Sequence, residues 1–180
     1  MRENGGQYTH SAVWAAMACA ALGDAARAWK VMDLINPLHH GRDAESVAIY
    51  KIEPYVVAAD VYGVVPHAGR GGWSWYTGSA GWMYRLVLES LLGLRLRIDD
   101  EGAWLDIAPC LPAHWERYEV DYAFRGATYH LEIVAVTGED EAASLQVDGR
   151  TLAGGSLPLV DDGRVHAVRV RVARREALAE

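Results

Sequence analysis

Residues 63–82 read GVVPHAGRGGWSWYTGSAGW, and residues 3–10 read ENGGQYTH. In the first stretch Gly69, Gly71 and Gly72 surround Arg70; Trp73, Trp75 and Tyr76 follow, and Thr77-Gly78-Ser79 opens a helical pattern. Residues 71–82 hold no general acid, metal cluster or nucleophile with its base. They offer bare backbone, aromatic faces and hydroxyls instead. The first turn of a helix has unpaired N–H groups and the positive end of the helix dipole, so it suits an anion. Gly78 lets the anion approach the backbone, and Thr77 adds a hydroxyl. Indole faces suit the apolar C–H faces of sugar rings. The structural alternative is an ordinary helix start after a Gly-rich loop, with its tryptophans in the core. The second stretch repeats the logic, with a Gly pair before a helix whose first turn holds His10. That histidine could bind an anion or be a satisfied core residue.

Other residue sets carry less. His39-His40 with Asp43 and Glu45 could suggest a metal, but adjacent histidines point in different directions and no second pair stands at ligand spacing. No metal site is assigned. Glu53 and Asp60 lie seven apart on one face of an expected helix, where two carboxylates could act as in a glycosidase. Dipole compensation by Glu53 and a polar contact for Asp60 explain them better. No residue is assigned a catalytic role.

The elements that must position these residues change character near residue 95. Residues 9–23 are Ala-rich, begin at a Thr or Ser cap and stop at Gly23, and a helix so apolar on all sides should be deeply buried. Residues 24–36 follow with Asp24 as cap, Pro37 as stop and apolar Ala28, Val31, Met32 and Ile35 at helical spacing, so the two helices form an antiparallel hairpin. Residues 53–63 predict a third helix with Pro54 in its first turn, and 78–93 a fourth. Two long loops, 37–52 and 63–77, lie between them. After residue 95 the period becomes two. The segments 94–99, 103–109, 118–124, 127–136, 144–150 and 165–172 read as strands, with turn signals at Asp99–Gly102 and Arg125-Gly126. The tail 173–180 reads as a short helix.

The chain has 180 residues, about half of them hydrophobic, enough for a sizeable core. Its net charge of −7 includes no basic block, so nucleic acid and anionic lipid are poor partners. Cys19 and Cys110 are the only cysteines and lie far apart, which argues against a disulfide framework and for two small buried apolar groups. The first ten residues have no apolar signal-peptide core, and no apolar run reaches membrane-spanning length.

ENGGQYTH, KIEPYVVAADVY, GRGGWSWYTGSAGWMYR and the pattern Leu105, Ile107, Pro109-Cys110-Leu111-Pro112, Trp115 occur in this order. Together they resemble the C-terminal part of glycoside hydrolase family 94, over about residues 2–135. That family holds inverting β-glucoside phosphorylases (cellobiose, chitobiose and β-1,2-oligoglucan) and the phosphorylase-like domain of bacterial cyclic β-1,2-glucan synthases. The wording is most similar to the last group and its β-1,2-oligoglucan relatives. Ala58 and Ala59 stand where cellobiose phosphorylases tend to carry a more polar pair.

The resemblance implies an α+β chain: residues 1–93 as the C-terminal helices of an (α/α)6 catalytic barrel, and 94–180 as an antiparallel β-sandwich. It implies phosphate binding by His10, Thr77 and Gly78, with sugar contacts from Glu3, Arg70, Trp73, Trp75 and Tyr76. Inorganic phosphate is then the co-substrate, no cofactor is needed, and the partners are a β-glucan oligosaccharide and phosphate. The family's general-acid Asp and a phosphate-binding Arg fall upstream of these residues. The expectation is therefore a fragment of an inverting phosphorylase, acting on β-1,2-linked or related β-glucans, that does not turn over by itself. It would self-associate or join the missing N-terminal part of the same enzyme, in the cytoplasm or at the cytoplasmic end of a membrane-bound glucan synthase. The rival expectations are a non-catalytic carbohydrate-binding or interaction module and a part of a related hydrolase.

Overall fold

A computed structural model of the chain describes residues 5–136 and 143–173. The chain divides into two compact units, Met1–Leu91 and Leu92–Glu180. Helices dominate the first and strands the second, so the chain is α+β.

The first unit opens with β1 (Gly6–Tyr8) and α1 (Thr9–Ala21). Alanine loses almost no side-chain entropy in a helix, which favours α1 locally. A Schellman motif ends it: the Asp24 N–H donates to the Cys19 carbonyl and the Gly23 N–H to the Ala20 carbonyl, each at 3.0 Å. Gly23 takes the left-handed φ of 81° that this stop requires. Asp24 then caps α2 (Ala25–Ile35), its carboxylate accepting from the Arg27 N–H at 2.9 Å. The expected helical hairpin is thus present. Deep burial of α1 is not. Thr9, Val13, Ala16 and Ala20 form one buried stripe, while Trp14 is 53% exposed and Leu22 also faces outward. In this unit α2 and the helical segments after residue 76 make the main packing on α1 among the described residues.

The next segment corrects the sequence reading twice. Residues 37–52 are not an unstructured loop but a 3₁₀ turn (Pro37–Gly41) and α3 (Ala44–Tyr50). Asp43 caps α3 by accepting from the Ser46 N–H at 2.7 Å, and Lys51 closes it in the left-handed region with φ 58°. Residues 53–63 are not a helix. Asp60–Tyr62 forms β2, which pairs antiparallel with β1 through Gly6↔Tyr62, Gln7↔Val61 and Tyr8↔Asp60. A long-range pairing thus overrides the local helical pattern, as β-branched Val56, Val57 and Val61 allow. The unit finishes with α4 (Thr77–Arg85), continued by a π-helical stretch, Leu86–Leu91.

The second unit contains two sheets. One has β3 (Leu94–Asp99), β4 (Gly102–Ile107) and β9 (Ser156–Leu159) in the order β3-β4-β9. The other has β5 (Arg117–Phe124), β6 (Ala127–Val136), β7 (Ser144–Val147), β8 (Arg150–Leu152) and β10 (Val165–Ala173) in the order β5-β6-β10-β7-β8. The expected wholly antiparallel pairing needs one correction, because β10 runs parallel to β6 from Val165↔Thr128 to Ala173↔Val136. Residues 137–164 separate these strands, ample for the crossover that a parallel pair needs. The turn signals are real. Arg125-Gly126 joins β5 to β6, and Asp99 Oδ1 accepts from the N–H groups of Glu101 and Gly102. Asp148-Gly149, read as strand, is instead the β7–β8 turn, both residues at positive φ. β9 escaped the period-two reading because it is short and contains Pro158, which an edge strand tolerates. Alternation along β6 buries Ala127, Tyr129, Leu131 and Ile133, and Leu94, Leu105 and Leu157 join the apolar core of this unit. Burying each of the larger aliphatic side chains contributes about 1.5–3 kcal/mol. Cys19 and Cys110 are both free thiols, the second buried. The expected tail helix lies, beyond Ala173, outside the described residues.

Candidate functional site

The first unit brings its two Gly-rich stretches together through a small ribbon. The Thr9 N–H donates to the Ala59 carbonyl at 2.9 Å, so the start of α1 hangs on β2. On the other side of β2 runs the segment 69–73. The Tyr62 N–H donates to the Arg70 carbonyl (2.8 Å), the Gly72 N–H to the Asp60 carbonyl (2.8 Å) and the Ala59 N–H to the Trp73 carbonyl (2.7 Å). Segments far apart in sequence thereby become neighbours, one leading into His10 and the other into Thr77.

His10 sits in the first turn of α1 inside an aromatic cage. Its ring centroid lies 4.7 Å from that of Trp14, 5.8 Å from Trp82 and 5.9 Å from Tyr8. Its Nε2 is buried and meets no hydrogen-bond partner among the described residues. Tyr8 reaches across to the other stretch, its hydroxyl 3.1 Å from that of Tyr76. Trp14 and Trp82 meet edge to face at 5.5 Å. These contacts tie the start of α1 to α4. Sequence reasoning missed Tyr8, Trp14 and Trp82 as cage members. The signal was present, since Trp14 is one helical turn past His10 and Trp82 one turn past Gly78.

Thr77 and Gly78 are the first two residues of α4, and both are exposed. Tyr76 stands at the cap position without a side-chain cap bond. A Cβ placed on Gly78 would meet only Tyr76 Cε1, at 3.9 Å, so the backbone there is open to an incoming group. Ser79, next in the turn, is fully buried, and its Oγ has no partner among the described residues.

The remaining candidates sort by exposure. Trp73 and Trp75 are 63% and 68% exposed, which excludes the core role that the structural alternative gave them. Tyr76 is exposed too, as is Arg70. Glu3 lies outside the described residues. Glu53 and Asp60 do not share a helix face. Glu53 accepts from the Trp75 indole N–H at 3.1 Å. Its own backbone N–H, the Trp75 indole and the Ser74 hydroxyl hold its carboxyl below the usual range. Asp60 is 1% exposed and buried beneath the Gly72–Trp73 backbone. Neither resembles a carboxylic acid poised to protonate a leaving group. His39 and His40 diverge: the His39 Nδ1 donates to the Asp33 carbonyl at 3.0 Å, while the His40 ring stacks on Tyr50 at 4.5 Å. Burial lowers the pKa of His40 and raises that of Tyr50 to about 12. Among the described residues no three His, Cys, Asp or Glu side chains gather as a metal would require.

Chemically, the arrangement offers an unpartnered imidazole nitrogen, an exposed helix N-terminus with a hydroxyl, and flanking aromatic faces. That combination suits an anion beside a ring-shaped polyol.

Comparison with known proteins gives the chain relatives. The model of the glycosyl hydrolase 94 superfamily catalytic domain matches residues 1–93. The cyclic β-(1,2)-glucan synthase NdvB of Rhizobium meliloti (strain 1021) is 47% identical over 133 residues, covering 74% of this chain and 5% of that protein. Solabiose phosphorylase of Paenibacillus borealis is 31% identical over 170 residues, 93% of this chain and 21% of the enzyme. N,N'-diacetylchitobiose phosphorylase of Vibrio furnissii is 32% identical over 154 residues, 84% of this chain and 18% of the enzyme. The chain thus spans from a twentieth to about a fifth of the length of these relatives.

Proposed function

The chain belongs to the glycosyl hydrolase 94 superfamily, and from that premise we propose that it carries part of the phosphate and sugar site of an inverting β-glucoside phosphorylase. The observation that supports this reading is the His10 Nε2, buried and unpartnered among the described residues, its ring 5.8 Å from that of Trp82 in α4, together with the open backbone at Gly78. A buried polar atom without a partner is costly, and an anion accepting from it would remove that cost.

In the proposed reaction a phosphate oxygen attacks the anomeric carbon from one face. The bond from that carbon to the glycosidic oxygen breaks, and a carboxylic acid protonates the departing oxygen. Water needs a base to become a nucleophile; phosphate needs only to be held and aimed. His10 donates from its ring, Thr77 from its hydroxyl and Gly78 from its amide. Trp73, Trp75 and Tyr76 offer faces to the sugar, with Arg70 and Glu3 as polar contacts. The proposed substrate class is β-1,2-linked or related β-glucans, in keeping with the similarity to a cyclic β-(1,2)-glucan synthase. The proposed fold around the site is the closing part of an (α/α)6 barrel followed by a β-sandwich. The proposed setting is the cytoplasm, or the cytoplasmic end of a larger membrane-bound synthase. No helix among the described residues is long and apolar enough to cross a membrane.

Titration of the isotope-labelled chain with inorganic phosphate tests the reading. The Gly78 amide and the His10 ring are expected to shift together and saturably. His10→Ala or Thr77→Val should each weaken binding about tenfold or more, the worth of one hydrogen bond to a charged group. An unresponsive Gly78 amide sinks the proposal. With β-1,2-oligoglucan and phosphate the chain alone is expected to show no turnover, since no residue here is assigned as acid and a positioned acid contributes about 10²–10⁴-fold.

The exposed tryptophans favour one second reading, a glycan-binding module. Oligoglucan binding that ignores both phosphate and the His10→Ala change would select it.

A further inference from the structure

Asp60 is a buried carboxylate to which the binding scheme above gives no task. It stands where the two halves of the proposed phosphate site are joined. Its backbone pairs with Tyr8, beside the Thr9 N–H that donates to Ala59, so it is anchored to the segment that launches α1 and His10. Its other side holds the aromatic loop. The Gly72 N–H donates to the Asp60 carbonyl at 2.8 Å, and the Trp73 N–H reaches the carboxylate Oδ1 at 3.4 Å. The fit is close enough that a Cβ on Gly72 would come within 2.2 Å of Oδ1. Trp73 is followed within four residues by Thr77, the first residue of α4.

Burying a carboxylate is expensive, and an apolar side chain could fill the same space without that penalty. What an apolar side chain could not supply is a carboxylate acceptor for the Trp73 N–H, stronger than a neutral one. We propose that Asp60 is a positioning residue: its backbone carbonyl, through the Gly72 N–H, and its carboxyl group, through the Trp73 N–H, hold the Gly72–Trp73 backbone on β2 and so set the spacing between His10 and the Thr77–Gly78 end of α4. The inference rests on the phosphate-binding reading above. Gly72 is its counterpart, because only a residue without a Cβ lets the backbone lie on the carboxylate.

Asp60→Asn keeps the shape and removes the charge. Inorganic phosphate titrated into the 180-residue variant should bind about tenfold more weakly than to wild type, the loss expected when the bond from the Trp73 N–H to the carboxylate weakens and the spacing of the site shifts. The Gly78 amide should also shift before any phosphate is added. A purely structural residue would lower the melting temperature and leave the phosphate affinity of the folded fraction unchanged. That result, or an unmoved Gly78 amide, overturns the inference while leaving the phosphate reading intact. A wild-type chain that ignores phosphate overturns the phosphate reading itself. Should the variant not fold, wild-type hydrogen exchange decides. Phosphate is expected to slow exchange at the Gly72 and Trp73 amides, though the scheme gives neither a contact with the anion, and unchanged exchange there refutes the inference.

Discussion

His166 in β10 is buried, and each ring nitrogen faces a carboxylate, Nδ1 at 2.8 Å from Asp148 Oδ2 and Nε2 at 3.1 Å from Asp162 Oδ1. Only the imidazolium has two N–H donors to satisfy both. The ring also stacks on Tyr129, 4.9 Å away. The bond to Asp148 first, then that to Asp162, raises the His166 pKa above 6.5. Arg164 foremost draws the Asp162 carboxyl down to about 2. A raised histidine contributes its full stability below its unfolded pKa and loses it as pH rises through the folded one. Lowered carboxylates lose theirs only as the solution becomes acidic. The melting temperature is therefore expected to fall as pH is raised from about 6 to about 9, and His166→Gln should remove most of that slope. An equal slope in both proteins would assign it to other groups, of which the exposed His130, raised by its bond to Asp121, is the first. The sequence hid this cluster because its members belong to β10, to the β7–β8 turn and to the turn before β10, and only the sheet order brings them together. His10, Thr77 and Gly78 were legible as first-turn helix residues, because a helix start carries its own local signature, while their part in phosphate binding came from the family resemblance and stands as a proposal.

The elements were legible where the local pattern and the long-range contacts agreed. The α1–α2 hairpin and most strands of the second unit carry their own period, caps and turns. The helix expected at 53–63 failed because β2 owes its strand to β1 and to the 69–73 backbone, which no local window contains. α3 has its cap at Asp43 but only seven residues, too few to set a helical period apart within 37–52. Gly93 gives a prediction at this scale. It precedes β3 at φ 71°, and a Cβ there would lie 2.2 Å from the backbone carbon of Ala108 and 2.3 Å from the Pro109 nitrogen. The Ala108 N–H donates to the Gly93 carbonyl at 2.8 Å, so the approach that leaves no room for a side chain also pairs the two backbones. The left-handed φ alone costs alanine about 1–2 kcal/mol, and a clash with backbone rather than a flexible side chain adds to it. Gly93→Ala is expected to cost about 3 kcal/mol or more in chemical denaturation of the second unit. A loss below about 1 kcal/mol would mean that the β3 entry shifts freely.

At the scale of the whole molecule, the first unit exposes Trp14, Leu22, Leu34, Leu38, Trp73 and Trp75 together with other large apolar side chains. Soluble monomers seldom leave contiguous apolar patches beyond a few hundred Å² uncovered. Self-association through α1, α2 and the aromatic loop is expected at micromolar concentration by light scattering, weakened by Trp14→Ser. A monodisperse monomer that binds no hydrophobic dye would contradict it. The other whole-molecule consequence concerns time. β10 is the middle strand of its sheet, flanked by β6 and β7, yet it is the last strand of the described residues to leave the ribosome. The hairpins β5–β6 and β7–β8 therefore emerge first, each with an unsatisfied edge, and neither can be joined to the other until Val165–Ala173 arrives between them. Contacts of such wide sequence separation form slowly, and open edges invite pairing with other chains while they wait. The five-stranded sheet closes only once Val165–Ala173 is available, and a chain halted before residue 165 is expected to leave the facing edges of β6 and β7 unpaired and open to other chains.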